Sequence, residues 1–172
     1  VNQLALFRIL SYILLPIGAF FGFMAALFLM TALTNPALLL LVFLFFCMAV
    51  YAFTSFSFLS KGVMGGKPCK ASLKDWIKVN AYVCLCIATL FVLNSVSLLA
   101  MNPVSLRQTV SQLLEAQSNL PSGYSIDLFL KMVKGVAGFM LFTGVVLLVH
   151  IFINFKLLKR YNHLFSSNDN PE

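Results

Sequence analysis

None of the four longest apolar stretches of this 172-residue sequence, 9–33, 37–59, 79–101 and 132–155, contains an aspartate or a glutamate. The whole chain has five acidic residues and two histidines, and charged side chains make up 10% of it, against about a quarter in ordinary soluble domains. Proton- or sodium-coupled transport normally runs through carboxylates inside the spans, so their absence argues against it. Cysteine is missing from 102–130; Cys47, Cys84 and Cys86 lie in apolar stretches and Cys69 in a lysine-rich connection. Cys84 and Cys86, two apart on a helix, point about 200° from each other and cannot pair. A disulfide framework is therefore not expected, and the thiols read as small apolar side chains.

Redox and hydrolytic chemistry lack their parts as well. Haem held between two histidines needs them on facing helices, but His163 follows His150 along the same helical run, about 20 Å away. There is no C-x-x-C for a thiol oxidoreductase. His150 has no carboxylate or thiolate at helical spacing to complete a metal site, and no serine has a histidine–carboxylate pair. No cofactor, no metal and no catalysis are expected.

What is present is apolar surface. Hydrophobic residues are 60% of the sequence and phenylalanine alone contributes 18 residues. Each of the four stretches exceeds the roughly 20 residues an α-helix needs to cross a hydrocarbon core. The first, 25 residues long, is longer than the apolar region of a signal peptide and reads as a retained span. The expected fold is all-α: an integral membrane four-helix bundle with one short amphipathic interfacial helix on the outer side. Residues 1–172 form a single transmembrane domain, with a cytoplasmic loop at 60–78 and an outer loop at 102–130.

Orientation follows from the basic residues. Arg8, Lys61, Lys67, Lys70, Lys74, Lys78, Lys156, Lys159 and Arg160 fall on one side, nine of the 12; Arg107, Lys131 and Lys134 fall on the other. The positive-inside rule puts both termini and the 60–78 loop in the cytoplasm. Topology accounts for most of the net charge of +7, so nucleic acid is not expected as a partner. Lys61, Lys67, Lys70, Lys74, Lys78, Lys156, Lys159 and Arg160 form a collar suited to anionic lipid headgroups. Gly65-Gly66 beside Lys67 lacks the full phosphate-loop pattern and a preceding strand.

Along the chain, Gly18, Gly22 and Ala26 place a small residue at every fourth position of the first span, the pattern of a helix-association face. Packing within the chain is favoured for it, and a second copy or another membrane protein is the alternative. Pro16 should bend that span. Asn35-Pro36 suits a helix start, and residues 62–68 read as a flexible loop. Ser72 is expected to cap the third span, with Asp75 completing a capping box or pairing with Lys78, and Trp76 at interfacial depth. Asn102-Pro103 is a good helix start, after which Leu106, Val110, Leu113 and Leu114 form one face, opposite Arg107, Gln108, Ser111 and Glu115. Pro121-Ser122-Gly123 should end that helix. Ser125 and Asp127 should open the next, with Asp127 reaching Lys131.

Helical phase gathers polar groups at one level. Thr143, His150 and Asn154 share a face of the fourth span; Asn80, Ser11 and Tyr12, and Tyr51, Thr54 and Ser55 reach a similar depth. An imidazole that deep faces the bundle interior. The favoured role of His150 is to join helices, and a ligand pocket of Tyr51, Asn80, His150 and Asn154 is the alternative. The outline is shared with tetraspanins and claudins, but both carry paired cysteines in an outer loop, and 102–130 has none. The expected function is a non-catalytic scaffold or accessory subunit, a homo-oligomer or a partner of another membrane protein. The alternative is a small oligomeric carrier or channel for a lipophilic or neutral solute. Phe, Leu and Lys usage without an outer glycosylation sequon fits a bacterial inner membrane.

Overall fold

A computed structural model describes residues 3–115 and 125–165, and among them every regular element is helical. The elements are α1 (Gln3–Ala32), a 3₁₀ turn (Pro36–Leu38), α2 (Leu39–Ser57), a π-helical segment (Phe58–Met64), α3 (Ala71–Leu99), α4 (Pro103–Glu115), α5 (Ile126–Arg160) and a closing 3₁₀ turn (Asn162–Phe165). Gln3–Ala32, Pro36–Met64, Ala71–Leu99 and Ile126–Arg160, of 30, 29, 29 and 35 residues, are each long and apolar enough to cross a membrane. All four expected apolar spans lie almost wholly within these helices. Their outward faces are apolar, with Phe23, Leu40, Phe43, Leu93, Phe142 and Phe152 all exposed, while Ser11, Ser55, Asn80, Ser95, Thr143, His150 and Asn154 are buried. That inversion is what a hydrocarbon solvent favours.

The helix starts follow side-chain chemistry. Asn35 Oδ1 accepts from Ala37 N–H at 3.2 Å, and Asn102 Oδ1 accepts from Val104 N–H at 2.9 Å. A proline follows each asparagine at the first helical position, where its missing N–H costs nothing. Ser72 departs from expectation: α3 begins one residue earlier, at Ala71, and Leu73 N–H bonds the Lys70 carbonyl. Ser72 thus sits inside the first turn, where backbone partners replace its capping role.

The connection at 60–78 is much shorter than the sequence suggested. Residues 62–64 are helical, and the π-segment runs to Met64. Gly66 then closes it at φ +60, a left-handed turn that favours glycine, and Lys67 N–H reaches back to the Lys61 carbonyl at 3.1 Å. Gly62 is buried, and a Cβ there would meet Cys69 Sγ at 3.0 Å and the Phe58 ring at 3.2 Å. Gly62 thus serves close packing within a helical stretch.

The chain packs as two compact units, Val1–Ala88 with Val146–Glu172, and Thr89–Val145. In the first, α1 and α2 form an antiparallel hairpin, with Phe28 against Phe45 near the turn and Tyr12 against Phe56 further along. The N-terminal half of α3 meets α2 where Cys84 Sγ lies 3.8 Å from the Cys47 carbonyl, and meets the end of α5 where Tyr82 lies against Phe155. In the second unit, α4 buries Leu106 and Val110 but leaves Leu113 64% exposed. Leu114, one residue further on, is half-buried, so the covered stripe drifts from Leu106 through Val110 toward Leu114 and does not return to Leu113. Asp127 pairs with Arg107 at 3.2 Å instead of reaching Lys131. Arg107 lies across from the start of α5, and its planar fork offers a carboxylate better geometry than the lysine one turn on. The Pro121-Ser122-Gly123 break lies outside the described residues.

Candidate functional site

Three helices of the first unit bring polar groups to one buried centre. On α5, His150 and Asn154 are one turn apart and share a face; on α2, Tyr51 and Ser55 do the same; α1 supplies Ser11. His150 Nε2 lies 2.9 Å from Ser11 Oγ and its Nδ1 lies 2.8 Å from the Tyr51 hydroxyl. Asn154 Nδ2 donates to the Tyr51 oxygen at 3.2 Å and to Ser55 Oγ at 2.6 Å. The imidazole stacks on Phe7 with ring centres 4.7 Å apart, and Tyr51 meets it edge-on. His150, Tyr51 and Phe7 are 0% exposed.

Counting protons assigns the tautomer. Ser11 has one hydroxyl hydrogen and donates it to the Phe7 carbonyl at 2.8 Å. His150 Nε2 therefore carries the hydrogen that Ser11 Oγ accepts, and Nδ1 accepts from Tyr51. The order runs from Asn154 through Tyr51 and His150 to Ser11 and the α1 backbone. A neutral imidazole with both nitrogens engaged has neither a proton nor a lone pair left for a substrate. Asn154 Oδ1 is a buried acceptor without a partner among the described residues.

No protein-family model, curated protein or solved structure matches this chain.

Of the four residues expected to line a pocket, Tyr51, His150 and Asn154 come together and Asn80 does not. Asn80 is buried, yet its amide donates to the Trp76 carbonyl of its own helix at 2.8 Å. A side chain that satisfies itself one turn back needs no partner across the interface. Thr54 behaves the same way, donating to the Val50 carbonyl at 2.6 Å. Tyr12, at the right depth, points outward and is 53% exposed. Phe7, which stacks on the histidine, went unnoticed in the sequence; one turn before Ser11 on the same face, it was reachable by phase.

Gly18 and Gly22 lie against α2 of the same chain. A Cβ on Gly18 would sit 2.4 Å from the Ala52 Cβ, and one on Gly22 would sit 3.2 Å from the Ala49 Cβ. Ala26 is exposed and Ala25 is buried in its place. Two four-residue steps rotate the face by about 80°, whereas seven residues return within about 20°. The small-residue face therefore continues to Ala25.

At the basic end of the first unit, the closing turn folds back. Leu164 accepts from Cys69 N–H at 2.8 Å, and Phe165 stacks on Phe58 with centres 5.5 Å apart. Two cavities flank α3 here. One, of about 370 Å³, is lined by Lys74, Lys78, Phe155, Leu158, Lys159 and Asn162. The other, of about 460 Å³, includes Lys61, Cys69, Lys70 and Trp76. Lys67, Lys156 and Arg160 are exposed and line neither. Among the described residues Arg107–Asp127 is the one ion pair, so Asp75 and Lys78 do not form one.

In the second unit a largely apolar cavity of about 310 Å³ lies between α3 and α5, bounded by Leu98, Phe129, Met132, Val136 and Met140. Ser95 also lines it, and its buried hydroxyl has no partner among the described residues, like that of Thr143. Among the described residues no three His, Cys, Asp or Glu side chains converge as a metal would require.

The thiols separate by environment. Cys84 is fully buried against Cys47, so a soluble maleimide should leave it unmodified in the folded protein and reach it only after denaturation. Cys69 lies outside the spans; burial raises its pKa, and the nearby Lys61 ammonium lowers it by a smaller amount. The thiolate is the reacting form. Cys69 labelling should therefore be slow at neutral pH and keep accelerating above pH 9, as followed by intact-mass measurement across a pH series. A plateau below about pH 8.5, the ordinary thiol value, would contradict this environment.

Proposed function

We propose that this chain is a non-catalytic, multi-pass membrane protein that acts as a scaffold or accessory subunit, holding anionic lipid at its basic end and meeting other membrane helices along its apolar faces. The observation that carries the reading is the closed polar centre: His150 has both ring nitrogens bonded within the chain and no exposed surface. A group so engaged joins α1, α2 and α5, and it leaves the helices' outward faces as the surface available to partners.

Gly18 and Gly22 are used in the α1–α2 contact, so association with other helices falls to different surfaces. Gly135 and Gly138 on α5 have nothing within 4 Å of where a Cβ would lie, and a close helix approach fits there. The basic end belongs on the cytoplasmic side by the positive-inside rule, with both termini, in a bacterial inner membrane. α4 lies on the opposite, outer boundary in this reading.

Native mass spectrometry of the protein released gently from its own membrane tests the proposal. Retained anionic lipid together with a second copy or a foreign subunit is the expected result. A bare monomer carrying an unassigned small mass would overturn it in favour of a carrier that opens around His150.

A further inference from the structure

The cavity at the start of α3 gathers like charge. Lys74 and Lys78 are one turn apart on α3, and Lys159 approaches from α5; among the described residues no acidic side chain lines the space. Ammonium groups four residues apart on a helix repel, and a third beside them adds to that cost unless an anion sits between them. Lys74 is also held in place: its Nζ donates to Asn162 Oδ1 at 2.5 Å and lies 5.9 Å from the centre of the Phe165 ring. Asn162 and Phe165 belong to the turn anchored through Cys69 and Leu164, so the C-terminal fold-back fixes one of the three charges.

The rest of the lining is apolar. Phe155 and Leu158 form a wall, and Phe155 continues to Tyr82, which is 61% exposed on the outward face of α3. A basic recess opening onto an apolar wall suits an amphiphile with a compact, highly charged head. We infer that this cavity binds a phosphomonoester, the phosphate among Lys74, Lys78 and Lys159 and the first carbons of a lipid along Phe155 and Tyr82. A phosphomonoester carries a charge of about −1.5 to −2 near neutral pH and three acceptor oxygens, which matches three ammonium donors better than the single charge of a phosphodiester.

This inference rests on the lipid-binding part of the proposed function and narrows it from a diffuse collar to one built site. The test uses the full chain in nanodiscs of phosphatidylcholine with either phosphatidic acid or phosphatidylglycerol, compared at equal total lipid charge. Binding is read by native mass spectrometry and by lipid titration. The parent should retain phosphatidic acid about tenfold more strongly than phosphatidylglycerol. The pair Lys78→Gln with Lys159→Gln should remove that preference, while Lys67→Gln with Lys156→Gln, an equal loss of charge outside the cavity, should leave it within about twofold. Lys78→Arg with Lys159→Arg should restore most of the preference, which separates loss of the site from loss of the fold.

Glycerol 3-phosphate and inorganic phosphate, added at millimolar concentration, distinguish the source. Failure to displace the lipid supports a membrane phosphomonoester; displacement supports a soluble one at the same three lysines. Equal affinity for the two lipids, or equal losses in the two glutamine pairs, would overturn the site and leave the diffuse collar standing. No retained anionic lipid of any kind would remove both the site and the lipid-binding reading beneath it.

Discussion

His150→Ala should lower the thermal midpoint of the detergent-solubilised protein by about 8 °C, corresponding to about 3 kcal/mol. The substitution empties a fully buried ring site stacked on Phe7, and it leaves the Tyr51 hydroxyl and Ser11 oxygen without their partners. Buried polar groups deprived of a partner add a penalty to that of the cavity. His150→Phe separates the two effects. It refills the space and keeps the stack on Phe7, so more than half the loss should return, the remainder measuring the hydrogen bonds. Interhelical hydrogen bonds in membranes average only about 0.6 kcal/mol, which is why packing is expected to be the larger share. A midpoint for His150→Ala within a degree of the parent would remove the structural role and reopen the case for a ligand site.

Gly18→Ala should cost about 2 kcal/mol, and Ala52→Gly in the same chain should return most of it. The added methyl would lie 2.4 Å from the Ala52 Cβ, closer than any real contact, with the α2 backbone directly behind. Neither side chain can rotate away, so α1 and α2 must separate along their whole contact. Removing the opposing methyl restores the approach distance. Gly22→Ala is the internal control: at 3.2 Å from Ala49 Cβ, a shift of a few tenths of an ångström accommodates it. Thermal midpoints of the three variants and the parent, with oligomeric state followed in parallel, check both the clash and its location. Loss of an oligomer with no loss of monomer stability would move the contact from within the chain to between chains.

Spans and polar level were legible because both depend on short-range periodicity. Runs without a carboxylate marked all four long helices, and 3.6-residue phase was enough to place Ser11, Tyr51, Ser55, His150 and Asn154 together. What escaped was set by competition among partners. Asn80 has the right depth, yet its own helix offers a carbonyl one turn back. Asp127 had Lys131 at helical spacing, but tertiary packing offered Arg107. Ala26 follows the four-residue spacing that Gly18 and Gly22 suggest, and the accumulated rotation of the helix substitutes Ala25. The fold-back of Asn162–Phe165 onto Cys69 has no periodic signature, since one backbone hydrogen bond and one ring stack make it. With that turn undetected, the convergence of Lys74, Lys78 and Lys159 could be read only as a collar.

The π-segment at Phe58–Met64 makes this the point in the second span where chain length is least constrained. Each hydrogen bond there encloses one residue more than in the α-helix, so the stretch holds a surplus residue. Removing the exposed Ser60 would be absorbed by a return to the ordinary ladder, with Gly62 brought one place nearer to Phe58. The same deletion within Leu39–Ser57 has no such reserve. There it would turn every following side chain by about 100° and carry one end of the span out of register with the other.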